Sequence, residues 1–217
     1  IVFTHDTHSH LNTFTTVVDD AEKEVGGFAR INTLIQEQKA KNPDTLVIDG
    51  GDFSMGTLIQ TVFETQAAEI RMLGYMGCDV TTLGNHEFDY RSKGLANMLN
   101  SAAESGDDLP AMVVCNVDWE SMEAAGLSEG QQLIRDAFDE YGVSDYVVLE
   151  KGDTDIAVVG VFGKDALAFA PTETGMWSYR LEAPEETGLS GVQGTIECIP
   201  YEGDLAIYRH GFLKVHP

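Results

Sequence analysis

The sequence is poor in positive charge: 13 Lys and Arg stand against 36 Asp and Glu, which gives a formal net charge of −23 at pH 7. Proteins that bind nucleic-acid polymers or anionic membranes rely on clustered Lys and Arg, so this balance argues against both kinds of partner. An enzyme that handles phosphate esters on such a surface would need locally bound cations to reverse the field at its site.

Long apolar runs and paired cysteines are also missing. No apolar run approaches the roughly 20 residues needed to cross a bilayer, and no charged-then-apolar leader precedes the strand-like "IVFT" at the start, so we expect any leader to have been removed. The cysteines Cys78, Cys115 and Cys198 lie far apart without a CxxC pair, which disfavours a zinc–thiolate site. With 217 residues, 43% of them hydrophobic, the chain is long enough for one well-buried core.

Strands and helices alternate along most of the chain. This alternation predicts an α/β domain with a largely parallel sheet, in which ligands lie beyond the carboxyl ends of the strands. After the first strand we expect a polar loop. The pattern predicts strands over 1–5, 45–49, 79–83 and 110–117, helices over 28–41, 62–73, 92–105 and 129–141, and a final hairpin of strands over 145–150 and 155–162.

Three polar stretches follow the predicted strands directly: "THDTHSHL" (4–11), "IDGGDFSMGT" (48–57) and "GNHEFDYRSKG" (84–94). On an extended segment Asp6 and His8 would point to the same side, which suits a carboxylate and an imidazole that hold one cation. Two glycines let the backbone turn sharply before Asp52, so that its carboxylate projects from the end of the sheet. Taken alone, the first stretch is more typical of a turn with a capping Asp and surface histidines, and an Asp in a turn after Gly is very common.

The third stretch carries the most chemistry. Asn85 offers a carbonyl oxygen suited to a divalent ion. Asp89 lies three residues after His86, within reach of its imidazole if a helical turn begins there, and such a pairing fixes the tautomer and raises the basicity of the ring. The alternative interpretation is a turn-forming Asn85 beside a surface His86.

In this order, the three stretches resemble the signature of the calcineurin-like metallophosphoesterases, which is D-x-H, then G-D, then G-N-H-[DE]. Within that family the stretches "GGFAR", "DTLVIDGGDFSMGT", "TTLGNHEFDY" and "VVCNV" are most similar to the bacterial 5′-nucleotidase group. The resemblance runs from residue 1 to about 187, with specific motifs over 1–117. It implies an α/β/β/α sandwich of the metallophosphatase type, with the ligand site at the carboxyl ends of the strands.

The resemblance also implies the roles of the site residues. Asp6 and His8 would hold one of two divalent ions (Zn, Mn, Fe or Co), Asp52 would bridge both, and Asn85 would hold the second. Two such ions about 3.5 to 4 Å apart can activate a shared water and clamp phosphoryl oxygens. His86, oriented by Asp89, would be catalytic and donate a hydrogen bond or proton as charge builds on the substrate oxygens.

The chain departs from the family pattern in its second half. The family completes the ligand sets of its metals with a lone His and a G-H-x-H motif, and the six histidines of this chain provide neither. The spacing and setting of His210 and His216 do not match. His5 is expected to alternate away from Asp6 on the strand and to be structural, and His10 is expected to be a loop residue rather than a ligand. We therefore divide the chain into a metallophosphoesterase domain over 1–187 with an incomplete motif set, and a C-terminal segment over 188–217 that could be the remainder of this domain after missing residues.

The sequence thus predicts two-metal hydrolysis of phosphate esters, with nucleoside 5′-monophosphates or related small nucleotides as substrates. The alternative is a non-catalytic or degenerate binding module that keeps the fold. By resemblance, the protein would be extracellular, periplasmic or at the cell surface.

Overall fold

A short parallel sheet forms the centre of the protein. The computed structural model describes residues 1–168, 170, 172–173 and 175–178, and within them four strands pair side by side in the order β1-β4-β5-β6. All three pairings are parallel, with Phe3 opposite Ile48 and Ile48 opposite Val80. The strands are β1 (Val2–Thr4), β4 (Val47–Asp49), β5 (Val80–Thr81) and β6 (Ala111–Met112).

Helices cover one face of this sheet. They share a single apolar core with it, because residues such as Phe28, Ile70 and Phe138 pack with Val47 and lie almost entirely out of solvent. The helices are α1 (Phe28–Lys41), α2 (Phe63–Gln66), α3 (Ala68–Tyr75), α4 (Arg91–Ala103), α5 (Trp119–Ala125) and α6 (Glu129–Tyr141).

The opposite face is covered by an antiparallel hairpin of β7 (Tyr146–Lys151) and β8 (Thr154–Val159). Val158 of this hairpin joins Ile48 and Val80 of the sheet in a second, smaller apolar cluster. The described residues therefore form a helical layer, a parallel sheet and a hairpin layer, which confirms the predicted α/β class. Strands β4 and β5 are fully buried between the two layers, whereas β1 is partly exposed. In sheets of this kind ligands bind at the carboxyl ends of the strands.

Two sequence predictions about local structure were wrong. The polar loop expected after the first strand contains a hairpin, β2 (Phe14–Val18) and β3 (Ala21–Val25), whose turn residues Asp19 and Asp20 adopt φ of 55° and 59°. The hairpin is exposed on nearly all residues, so the sequence lacked the apolar alternation that marks a strand. The helix predicted over 62–73 is broken at Ala67, whose φ is 45°, and a 3₁₀ turn (Leu58–Val62) precedes it.

The predicted segment over 188–217, together with His210 and His216, lies outside the described residues. Of the helices that are described, none combines the length and the apolar character that a bilayer crossing requires.

Candidate metal centre

The site is built where the first two neighbouring strands end. The loop after β1 runs alongside the loop after β4, and backbone amides join them: Asp6 N–H donates to Gly51 O (3.0 Å), His8 N–H to Asp52 O (3.1 Å), and Ser9 N–H to Phe53 O (2.8 Å). Since the two loops are hydrogen-bonded along their length, the side chains that they carry are held at one place on the rim.

The backbone of these loops is unusual. Asp6, His8 and Asp52 all have positive φ, at 51°, 45° and 51°. Non-glycine residues adopt this left-handed region uncommonly, and where they do, the strain often accompanies a functional site. The prediction that Asp6 and His8 lie on an extended segment was therefore wrong, although the loop brings their side chains together by another path.

Asp6, His8 and Asp52 form a compact group, in which one ligand atom from each residue lies within 4.8 Å of the others. His8 Nε2 is 3.8 Å from Asp6 Oδ1, while His8 Nδ1 lies 3.1 Å from Ser54 O. A backbone carbonyl on one ring nitrogen leaves the other nitrogen available for a cation. The group fits a divalent ion, because carboxylate oxygen and imidazole nitrogen are the donors that such ions take in the absence of thiolate.

His5 was expected to point away from Asp6, and that prediction was wrong. His5 Nδ1 lies 2.6 Å from Asp6 Oδ2, because the positive φ of Asp6 turns the chain away from strand geometry. His10 lies in the loop as expected, with its ring 5.5 Å from that of Phe14.

Two glycines allow the second and third loops to approach each other closely. A Cβ atom on Gly84 would lie 2.2 Å from Asp52 Oδ1, and a Cβ atom on Gly51 would lie 2.5 Å from Gly84 N. Both positions exclude any side chain. The stretch "GNHE" is therefore packed directly against the carboxylate of Asp52.

Asn85 lies between two residues that contact Asp52. Gly84 precedes it, and the backbone N–H of His86 donates to Asp52 Oδ1 at 2.8 Å. Asn85 is half-buried and begins a 3₁₀ turn, His86–Phe88. The predicted ligand is thus placed on the same rim, adjacent to the carboxylate that would bridge the two ions.

The 3₁₀ turn pairs His86 with Asp89, as the three-residue spacing predicted. His86 Nδ1 lies 2.9 Å from Asp89 Oδ2, and its ring stands edge-on to that of His8, with 4.9 Å between the centroids. Burial lowers the pKa of His86, but the hydrogen bond with Asp89 and the negative charge of Asp52 outweigh it and raise the pKa above its usual value. The imidazole that faces the rim is therefore biased toward its protonated form.

Two buried carboxylates, which no sequence motif marked as functional, lie behind the site. Asp49 ends β4 and accepts hydrogen bonds from Thr4, Thr81 and the N–H of Gly51. Glu87 lies within the 3₁₀ turn and is completely buried. Burial raises the pKa of Asp49 to about 6, and burial together with the charge of Asp52 raises the pKa of Glu87 to about 7. An acid that directly ends an apolar strand, as in "VID", was the one signal for Asp49.

Most of the chain matches one known protein family. The sequence profile of the calcineurin-like phosphoesterases matches residues 1–168. A probable 5′-nucleotidase of Treponema pallidum is 35% identical over 104 residues, covering 46% of this chain and 17% of that protein. The 5′-nucleotidase of Rattus norvegicus is 38% identical over 107 residues, covering 46% of this chain and 18% of the relative.

A longer match extends over most of the chain. The trifunctional nucleotide phosphoesterase of Bacillus subtilis is 27% identical over 200 residues, which is 86% of this chain and 13% of that protein. In each of these three alignments the chain therefore spans less than a fifth of the curated relative's length.

The fold is also found in solved structures. The 5′-nucleotidase precursor of Thermus thermophilus superimposes with a TM-score of 0.64 at 22% identity, over 87% of this chain and 32% of that chain. The NAD nucleotidase of Haemophilus influenzae gives a TM-score of 0.60 at 22% identity, over 82% of this chain and 32% of that one. At this identity the superpositions establish the fold alone.

Proposed function

The chain belongs to the calcineurin-like phosphoesterase family, and from this premise we propose that it is the metal-binding, catalytic part of a hydrolase that acts on nucleoside 5′-monophosphates or related small nucleotides. The observation that carries the proposal is the group of Asp6, His8 and Asp52, whose ligand atoms lie within 4.8 Å of one another at the sheet rim. A net charge of −23 would repel a phosphate ester, so the cations held there provide the attraction that the surface lacks.

Four residues are the candidate ligands of the two cations. Asp6 and His8 would hold the first cation, Asp52 would be shared by the first and the second, and Asn85 would hold the second. Zinc, manganese, iron and cobalt all suit oxygen and nitrogen donors. When bound, the two cations supply the Lewis acidity that activates water and the positive charge that neutralises phosphoryl oxygens. The carbonyl of Ser54 directs His8 by accepting from Nδ1, which leaves Nε2 facing Asp6.

His86 and Asp89 act on the substrate side. Asp89 accepts from Nδ1 of His86, so the remaining nitrogen, Nε2, is the one available to a substrate oxygen. With Nδ1 protonated, Nε2 carries a hydrogen only in the imidazolium, and the raised pKa of His86 keeps that form populated to higher pH. His86 therefore donates a hydrogen bond or a proton to the ester or phosphoryl oxygen as negative charge develops there.

The substrate class rests on the relatives. Proteins named as 5′-nucleotidases and as a nucleotide phosphoesterase align with this chain. The charge balance further favours a small nucleotide over a nucleic-acid polymer.

The test is metal analysis of the purified full-length protein, combined with phosphate release from AMP and from p-nitrophenyl phosphate. We expect bound divalent metal, loss of activity on chelation with recovery on metal addition, and a higher kcat/KM on AMP. Metal binding without phosphate release from either compound would support the binding module instead. Phosphate release that chelators leave unchanged would overturn the two-metal mechanism.

A further inference from the structure

Glu87 is the acid of "GNHE" to which the proposed mechanism gives no role, yet residues of two different loops donate hydrogen bonds to its carboxylate. Its side chain is completely buried. Its carboxylate accepts four hydrogen bonds: Oε2 from the N–H of Asp52 (2.9 Å) and of Gly84 (2.7 Å), and Oε1 from the N–H (3.0 Å) and hydroxyl (2.7 Å) of Ser54. A carboxylate offers about four acceptor positions, so all of them are used.

The four donors belong to two different loops. Asp52 and Ser54 belong to the loop after β4, whereas Gly84 belongs to the loop after β5 and immediately precedes Asn85. Ser54 also presents its carbonyl oxygen to Nδ1 of His8. One side chain therefore binds the backbone of the bridging residue, the residue that orients His8, and the residue before the predicted ligand of the second ion.

We propose that Glu87 is a positioning residue that fixes the spacing of the two metal-binding loops before any cation arrives. Held in this way, Asp52 and Asn85 present their oxygens at a fixed separation, and less ordering is required when the ions bind. The proposal rests on the proposed function for its metal site, and it concerns how that site is assembled rather than which substrate it takes.

Glu87→Gln is the sharpest substitution, because it keeps the size of the side chain but replaces one acceptor oxygen with an NH₂ donor. Either orientation of the amide would set that NH₂ against a backbone N–H, of Asp52 and Gly84 or of Ser54. In either orientation at least one backbone N–H of the two loops would lose its acceptor and face a buried donor instead.

Glu69→Gln provides a matched control. Glu69 is also completely buried, but the described structure gives it one side-chain donor, the hydroxyl of Ser9 at 2.7 Å, and leaves Oε2 without a partner. A glutamine can keep the bond from Ser9 through its own oxygen and place its NH₂ where no donor opposes it. The two variants therefore make the same chemical change in burial of the same degree.

The experiment is titration of the metal-free full-length protein with Co²⁺, following the visible absorption of the bound ion, beside a separate thermal unfolding of the metal-free protein. We expect Glu87→Gln to raise the Kd for Co²⁺ by about 10- to 100-fold and to change the absorption spectrum, as loss of an outer-shell partner does. Glu69→Gln should leave both within about 2- to 3-fold of wild type. Ser54→Ala, which removes one of the four donors, should give an intermediate Kd and applies even if Glu87→Gln does not fold.

A lowered unfolding temperature with wild-type Kd and spectrum in Glu87→Gln or Ser54→Ala would overturn the proposal, since Glu87 would then serve folding only. Co²⁺ binding and phosphate release by the wild-type protein test the proposed function separately. Wild type that binds Co²⁺ but releases no phosphate would contradict the function and leave the positioning role standing, whereas wild type that binds no Co²⁺ would remove both.

Discussion

The two halves of the candidate site are built differently. The loop after β1 presents Asp6 and His8 with 39% and 30% of their side chains exposed, and Asp6 is hydrogen-bonded to His5, itself a solvent-facing residue. The loops after β4 and β5 present Asp52, which is 3% exposed, supported by the fully buried Glu87. One half is open to solvent, and the other is held by hydrogen bonds inside the protein.

The difference indicates which half is already formed in the metal-free chain. Asp52 has its backbone bound by Glu87 and its carboxylate bound by the N–H of His86, so its position is determined by the fold. Asp6 pairs with Gly51 through its backbone, and its side chain is 39% exposed to solvent. We therefore expect metal binding to order the first loop and to change the second much less.

The largest effect is expected from Asp52→Asn compared with Asp6→Asn. Asp52 would bridge both ions, so its loss should reduce metal content to near zero and phosphate release by at least about 10³-fold. Asp6→Asn, in the exposed half, should keep part of the metal and lower activity less. Metal analysis and phosphate release on the two variants make the comparison, and a greater loss of metal in Asp6→Asn would reverse our assignment of the two halves.

His86→Ala tests whether the rim separates binding from turnover. The ring contacts His8 only at its edge and is not among the proposed ligands, so we expect the metal content to stay at the wild-type level while kcat falls by about 10²- to 10⁴-fold. His10→Ala is the control, because its ring packs against Phe14 and should leave kcat unchanged. Equal losses of metal and turnover in His86→Ala would place His86 among the ligands.

Asp49→Asn measures what it costs to bury acids behind the site. The pKa of Asp49 is about 6 in the folded chain, against roughly 3.9 when unfolded, so between these values the native state holds the extra proton and the free energy of unfolding falls as pH rises. Burial of the ionised Asp49 carboxylate lowers the free energy of unfolding by about 3 kcal/mol above pH 6, and this loss is absent below pH 4. Urea unfolding of the metal-free protein across this window should show a shallower slope in Asp49→Asn than in wild type. Equal slopes would indicate that Asp49 is not perturbed.

Asp89→Asn should have the smallest effect. Asp89 contributes to the raised pKa of His86, so its removal lowers that pKa. Because the protonated His86 is the proposed donor, the activity lost as pH rises should be lost at lower pH in the variant, with kcat at neutral pH reduced by about tenfold or less. The pH dependence of kcat on AMP provides the measurement, and an alkaline limb that stays in place would separate Asp89 from the function of His86.

The sequence predicted the architecture and the residues of the rim better than it predicted how they are held. Strand ends placed Asp6, Asp52 and Asn85 on one edge, since parallel strands share the direction of their carboxyl ends. The prediction that Asp6 and His8 lie on an extended segment was wrong. Both residues have positive φ and are hydrogen-bonded to the neighbouring loop, and no local sequence pattern encodes that pairing.

Glu87 and the hairpin β2–β3 were missed for opposite reasons. An acid in a polar turn is expected to face solvent. Glu87 is buried instead, and its hydrogen-bond donors Asp52 and Ser54 lie more than 30 residues away in the chain. The hairpin has almost no buried face, and its second strand carries charged residues where a strand pattern would need apolar ones. In both cases partners that are distant in sequence or pair only through the backbone decide the structure.

The contact between Gly51 and Gly84 limits how the protein can be redesigned. A single methyl group at Gly84 would overlap the carboxylate of Asp52, and one at Gly51 would overlap the neighbouring loop. Libraries that seek new substrates can vary the exposed hairpin and the outer loops. No residue other than glycine fits at these two positions. The close approach of the loops that carry Asp52 and Asn85 thus depends on two residues that have no side chain at all.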